Sequence, residues 1–240
     1  MVLPKFDGVC VLKEPVDKWR NVNGHNLLQL MYQDPKRYAM PFQSNVQLTM
    51  LELHNKKTSK SIKLMERSIF SARYCFVENL YRSEVIEASE FEVLSQWFEY
   101  VVNSSDIDLE VDLVVYLRTE PEKALDRIKA RGRGEENSIP LQYLQELHRL
   151  HDEWLLESKF KVPAPVVVIN ANQDKELMLA EYNKLESIIF NKSREKALVL
   201  KNNAKIILNE INENQVKENI KEKGKENQIK EKIKKNGKEN

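Results

Sequence analysis

Cysteine is scarce in this sequence of 240 residues. Cys10 and Cys75 are the only two, too few and too far apart for a disulfide framework, which points to a reducing compartment. No apolar run approaches the 18 residues needed to cross a bilayer. The first residues, Met1-Val2-Leu3-Pro4-Lys5-Phe6-Asp7, have neither an apolar signal core nor an Arg/Ser-rich amphipathic leader. An excess of one charge is missing too: 38 Lys and Arg stand against 37 Asp and Glu, a net +1. The field of the whole molecule therefore draws in neither nucleic acid nor membrane, and any anion site must be local. These absences lead to the expectation of a soluble intracellular protein with no nucleic-acid or membrane partner.

Composition shifts near residue 191. From Asn202 onward the chain is dominated by Lys, Asn, Glu and Ile and has no aromatic residue, and its interleaved charges resist burial. Residues 191–240 read as a disordered, solvated tail, helical at most in passing around Ala204–Ile211. A basic arm for nucleic acid is the alternative, weakened because Glu alternates with Lys throughout. The folded domain is then 1–190. Within it, Val9–Leu12, Ile62–Met65, Leu113–Leu117 and Val166–Ile169 are short and apolar, as buried parallel strands are. Helical patterns lie between and after them over Phe42–His54, Ser71–Leu80, Phe91–Asn103, Pro121–Ala130, Leu141–Leu156 and Lys175–Phe190. Strands alternating with helices predict an α/β fold, a parallel sheet with helices on both faces.

Ligands of such sheets bind beyond the carboxyl ends of the strands. There the sequence places Lys13-Glu14-Pro15, Glu66-Arg67-Ser68, Arg118-Thr119 and Asn170-Ala171-Asn172. A shielded Glu beside an Arg can take a proton from a hydroxyl attacking phosphorus, and the Arg can hold that hydroxyl or phosphate oxygens. The same residues could equally be rim salt bridges. Arg127, Arg131 and Arg133, with Gly132 and Gly134 among them, suit a lid over a polyphosphate; an exposed charged helix end is the plainer reading. Trp19, Tyr32, Phe42 and Phe76 offer faces for a planar base, and Gln43 a donor and an acceptor for its edge. Aromatics in such patterns are also ordinary core residues.

Glu14-Pro15-Val16-Asp17-Lys18-Trp19, Met40-Pro41-Phe42-Gln43-Ser44, Met65-Glu66-Arg67-Ser68-Ile69-Phe70-Ser71-Ala72-Arg73-Tyr74 and Tyr116-Leu117-Arg118-Thr119 together resemble the deoxynucleoside kinase family. They are most like its insect multisubstrate and mitochondrial thymidine branch, from about Phe6 to about Phe190. The resemblance implies a three-layer P-loop kinase fold and ATP-dependent phosphorylation of the 5′-hydroxyl of deoxynucleosides, with Mg²⁺, in a homodimer of the cytoplasm or mitochondria. It implies Glu14 as general base with Arg67 on the same hydroxyl, Trp19, Phe42 and Phe76 around the base, and Gln43 on its edge. It further implies Tyr32 and Glu136 on the 3′-hydroxyl, Arg127, Arg131 and Arg133 in the lid, Glu66 toward Mg²⁺ through phosphate or water, and Asn170, Ala171 and Asn172 near adenine. Val46, Met50 and Ala72 resemble the thymidine-accepting branch, which implies thymidine and deoxycytidine as preferred substrates.

One part of the family pattern is not in the sequence. Family members have a central strand, a G-x-x-x-x-G-K-[ST] loop and a helix before the matched region. Here the only Gly-Lys pairs are Gly224-Lys225 and Gly237-Lys238, each followed by Glu. The expectation is a sheet without its first, central strand and a chain that is inactive or poorly folded as written, from an incomplete gene model or a truncated variant. The alternative is a noncatalytic nucleoside-binding protein or partner of an intact subunit. A nucleoside monophosphate kinase fits less well, because its acceptor needs positive charge where Glu14 stands.

Overall fold

In the computed structural model, the described residues are 9–60, 62–136, 138–174, 176–179 and 182. Strand β1, Val9–Leu12, leads through Pro15 into a short helix α1, Val16–Arg20, then α2, Leu27–Gln33, and the long α3, Pro35–His54. Strand β2, Ile62–Met65, is followed by α4, Ile69–Ser71, a π-helical turn Ala72–Val77 and α5, Glu78–Arg82. Helix α6, Ala88–Asn103, precedes β3, Val114–Arg118. Helix α7, Pro121–Arg131, a 3-10 turn Gly134–Glu136, α8, Leu141–Leu155, and β4, Val166–Asn170, complete the order.

The fold is α/β with parallel pairing, as the alternation predicts. Among the described residues the strands form two separate parallel pairs. Strand β1 lies on β2 with Leu12 opposite Met65, and β3 lies on β4 with Arg118 opposite Asn170. Two pairs, rather than one continuous sheet, are what a parallel sheet leaves without its middle strand. Val11 and Leu117 are exposed in mid-strand, whereas strands of such sheets are ordinarily covered on both faces.

The core gathers Trp19, Leu28, Met31, Phe42, Val46 and Met50 from the first helices. Ile69, Phe70, Ala72 and Cys75 join them from the segment after β2. Phe98 of α6, Tyr116 of β3 and Leu150 and Trp154 of α8 close it.

Helix starts follow local chemistry. Asp34 caps α3 by accepting from the Arg37 N–H, with Pro35 at the first helical position, where a missing N–H costs nothing. Ser68 and Ser71 form a reciprocal capping box at α4, which satisfies two otherwise free N–H groups.

Several elements differ from the sequence-based expectation: β3 and β4 end one residue later and α6 starts three residues earlier, at Ala88. Helix α3 begins seven residues before Phe42, because Pro35 and Pro41 mask a helix that Pro35 in fact starts. The short α1 and α2 are too brief to show a helical repeat. The pattern over Ser71–Leu80 holds a π-turn, which hydrophobic spacing does not distinguish from α-helix. Of the helix expected over Lys175–Phe190, residues 176–179 and 182 are helical; the rest of it and the tail at 191–240 lie outside the described residues.

Candidate active site

The parallel register brings Glu14 and Arg67 together. Glu14 lies two residues past β1 and Arg67 two past β2, and the Glu66 N–H continues the ladder by donating to Leu12 O at 2.8 Å. Arg67 Nη1 reaches Glu14 Oε1 at 2.8 Å. The Glu14 carboxylate is nearly covered, 12% exposed, while the Arg67 side chain keeps 47% exposure. Burial pushes the Glu14 carboxyl above the usual range, with Arg67 pulling the other way.

Arg67 adopts a left-handed backbone, φ 62, which is uncommon for a residue with a Cβ. Two contacts hold it there: the ion pair to Glu14, and a guanidinium seat 4.3 Å from the centre of the Phe76 ring. Strained backbone of this kind persists where its surroundings over-determine it. Glu66, next in sequence, turns its Oε2 toward the Glu14 N–H at 3.4 Å.

Beside this pair stands an apolar wall. Trp19 of α1 is 4% exposed; its indole N–H donates to Thr49 Oγ1 at 2.8 Å. Its ring meets Phe42 edge-on, 5.6 Å between centres at 81°. Phe42, Gln43, Val46 and Met50 are all buried residues of α3, at spacings that share one helix face. Gln43 is buried, yet its Oε1 has no protein hydrogen-bond partner. An orphaned buried acceptor costs free energy unless a ligand or water meets it, so this atom fits a site for a polar planar edge. Ala72 opens the π-turn and Phe76 lies within it.

Tyr32 of α2 closes another side. Burial, then the nearby Glu136 carboxylate, pushes its phenol up to about 12, which keeps the hydroxyl protonated and able to donate. Glu136 accepts from Arg131 Nη2 at 2.5 Å and from Arg133 Nη1 at 3.1 Å. Gly132 caps α7 in the left-handed region, φ 66, and so turns the chain toward the 3-10 turn.

The structure brings together Glu14, Arg67, Phe76, Tyr32, Glu136, Arg131 and Arg133, and sets Trp19, Phe42, Gln43, Val46, Met50 and Ala72 in the adjoining wall. Arg127 goes elsewhere: it donates to Gln173 O at 3.0 Å and to Thr119 Oγ1 at 3.5 Å. Arg127 and Arg131 are therefore not partners in one cluster, despite their spacing of four. Asn170, Ala171 and Asn172 clasp the end of β3. Ala171 N–H donates to Arg118 O at 2.8 Å, Asn170 Oδ1 accepts from the Asn172 N–H at 3.0 Å and Asn172 Oδ1 accepts from the Glu120 N–H at 2.8 Å.

Sequence reasoning missed several neighbours. Tyr143 of α8 is half-buried, its phenol raised by desolvation, with Tyr32, Arg67 and Glu14 as its charged or titratable surroundings. Asp152 holds Arg118 through both oxygens and accepts the Tyr116 hydroxyl at 2.9 Å, with His148 on the same guanidinium. A surface hollow of about 430 Å³ lined by Gln96, Glu99, Tyr100, Asn103, Ser104 and Ser105 shares no residue with the site.

The sequence matches the model of the deoxynucleoside kinase family over residues 2–196. This chain is a member of the deoxynucleoside kinase family. Among its relatives are "Thymidine kinase 2, mitochondrial" of Homo sapiens and of Macaca fascicularis, each 49% identical. The human match covers 81% of this chain and 70% of the relative, the macaque match 80% and 69%. "Deoxycytidine kinase" of Bos taurus is 36% identical, covering 68% of this chain and 74% of the relative.

The P-loop kinase type fold expected of a deoxynucleoside kinase agrees with the parallel pairs described above, and the family implies ATP as phosphate donor. No group of three or more His, Cys, Asp and Glu gathers as a metal site among the described residues. Mg²⁺, though, typically takes one or two carboxylates and completes its shell with phosphate oxygens and water. Glu66 beside Glu14 fits that donor set. No helix among the described residues is long and apolar enough to cross a membrane.

Proposed function

We propose that this deoxynucleoside kinase acts in nucleotide salvage, phosphorylating the 5′-hydroxyl of deoxyribonucleosides with ATP, and prefers thymidine and deoxycytidine. The observation that carries the reading is the Glu14–Arg67 pair at 2.8 Å, seated at two strand ends beside the Trp19–Phe42 wall. A carboxylate raised by burial is a better proton acceptor than an exposed one, and Arg67 would hold the same hydroxyl in line. Trp19 and Phe76 would flank the base, with Gln43 Oε1 and its amide meeting the edge. Tyr32 and Glu136 would bind the 3′-hydroxyl and leave little room for a 2′-hydroxyl.

Val46, Met50 and Ala72 would leave space for a 5-methyl group. An apolar pocket discriminates a methyl by only about 1–3 kcal/mol, so the preference is broad. Arg131 and Arg133 would face the phosphates, with Arg127 and Asn170–Asn172 on the nucleotide side. Mg²⁺, held by Glu66 through phosphate or water, would supply charge neutralisation at the phosphates.

We further infer a homodimer packed through α3 and α6. Leu48, Val93, Trp97 and Tyr100 are exposed there, and sedimentation at the monomer mass would remove that inference. The compartment is cytoplasmic or mitochondrial, the second supported by the name of the most identical relatives cited.

These 240 residues contain no G-x-x-x-x-G-K-[ST] cradle, so transfer by them alone is expected to be slight. That lack supports the second reading, a nucleoside-binding partner protein without turnover. The deciding experiment joins a strand–loop–helix bearing that motif to the chain and measures thymidine phosphorylation. Turnover that falls at least about 100-fold in Glu14→Gln, with thymidine affinity held within about threefold, is the expected result. Thymidine binding with no turnover in the joined protein would favour the second reading, and undiminished turnover in Glu14→Gln would overturn the base assignment.

A further inference from the structure

The 3-10 turn Gly134–Glu136 presents two adjacent carboxylates that face different ways. Glu136 is occupied within the lid by Arg131 and Arg133. Glu135 reaches out of it. Arg20 Nε donates to Glu135 Oε1 at 2.8 Å and Arg20 Nη2 to Glu135 Oε2 at 3.0 Å, the two-pronged geometry that fixes a guanidinium against a carboxylate in orientation as well as distance. The Glu135 side chain is 15% exposed and that of Arg20 34%. Each partner shifts the other toward its charged form: the Glu135 carboxyl is lowered first of all by its hydrogen bond from Arg20, and the Arg20 guanidinium is raised by Glu135.

Position gives the pair its meaning. Arg20 directly follows Trp19 on α1, a helix of five residues that starts just after Glu14. One side chain of α1 thus closes the base wall, and the next grips the turn from which Glu136 faces Tyr32. The turn enters through Gly132 in the left-handed region, with open space where a Cβ would stand at both Gly132 and Gly134, so little side-chain packing from those two positions fixes it. Helix α2, which carries Tyr32, also packs on this turn.

We propose that Arg20 and Glu135 are positioning residues for the nucleoside site, a latch that fixes the lid turn on α1 so that Glu136, Arg131 and Arg133 are held in register with Trp19, Tyr32 and Glu14. The latch rests on the nucleoside reading above for its purpose, but its existence is testable without it. Neither side chain touches the reacting atoms; both act through what they place. A merely decorative surface pair would leave the lid where it is when removed.

The test uses the full 240-residue chain with Arg20→Gln, Glu135→Gln, Arg20→Lys and the exchanged pair Arg20→Glu with Glu135→Arg. Amide hydrogen exchange over 131–136, thymidine affinity by calorimetry and the thermal midpoint are read for each. Either Gln variant is expected to speed exchange over 131–136 and weaken thymidine about fivefold, the scale of one well-formed partly exposed ion pair, with the midpoint unchanged within error. Arg20→Lys, which keeps the charge and loses the fork, falls between, and the exchanged pair recovers most of both effects. Unchanged exchange in both Gln variants, or an exchanged pair no better than either, overturns the latch. Failure of the unsubstituted chain to bind thymidine overturns the nucleoside reading instead, and the exchange comparison then decides the latch by itself.

Discussion

At the scale of single residues, the proposed chemistry turns on how Glu14 is poised. Burial raises its carboxyl pKa and Arg67 restrains that rise. Only the ionised form can accept a proton, so catalytic competence grows as pH rises through this raised value and is lost below it. Removing the guanidinium in Arg67→Gln takes away the lowering influence. A carboxyl-carbon NMR titration is expected to place Glu14 above the ordinary glutamate range, and higher again in Arg67→Gln. A Glu14 midpoint at the ordinary value, unmoved by Arg67→Gln, would mean that the pair is a solvated rim bridge.

Much of this scale was readable in advance. A Glu and an Arg two residues past neighbouring strands must approach one another once the register is parallel. Arg20 and Glu135 could not be read that way, because they stand 115 positions apart and neither lies at a strand end. Nor could Tyr143, one apolar-face residue of an amphipathic helix among many. Spacing alone could not show that Arg127 meets Gln173 and Thr119 while Arg131 meets Glu136.

Among the elements, the strands were the most legible. Val9–Leu12 and Ile62–Met65 stand out because β-branched and apolar residues are confined between polar turns, and the third strand moves by one residue only because Arg118 pairs with Asn170 despite its charge. Helices of five and seven residues gave no repeat to read. The lid is the element where backbone preference is sharpest. Gly132 sits at φ +66 with nothing within 4 Å of the place a Cβ would take, so a substitution there meets only backbone strain. Gly132→Ala is expected to lose about 1 kcal/mol in chemical denaturation, and Gly134→Ala, whose backbone lies outside that region, distinctly less. Equal losses at the two positions would contradict the reading of Gly132 as the turn that sets the lid.

For the whole molecule, two histidines, His54 buried and His151 half-buried, set the acid limit. Burial pushes His54 and His151 down to about 4, against about 6.5 in an unfolded chain. His54 accepts the Ile69 N–H at 3.3 Å, and His151 stacks on Tyr116 with ring centres 5.9 Å apart. Between pH 6.5 and 4 the unfolded chain binds protons that the folded one does not, so stability falls as pH is lowered through that window. With about 1.4 kcal/mol per pKa unit, the combined loss is on the order of a few kcal/mol. Denaturant titrations at pH 7 and pH 5 should show it, and His54→Gln should blunt it; a pH-independent midpoint would place both rings in water.

The two parallel pairs, the wall of α3 and the lid turn converge on one claim: a sugar sits between Glu14–Arg67 and Tyr32–Glu136, with its base against Trp19. Calorimetric titration of the chain with thymidine and with its ribose counterpart, 5-methyluridine, addresses that claim without requiring turnover. Thymidine is expected to bind, and 5-methyluridine at least about tenfold more weakly, because a 2′-hydroxyl would crowd the Tyr32 side and leave buried polar groups mismatched. Equal affinity for the two, or no binding of thymidine, would contradict it.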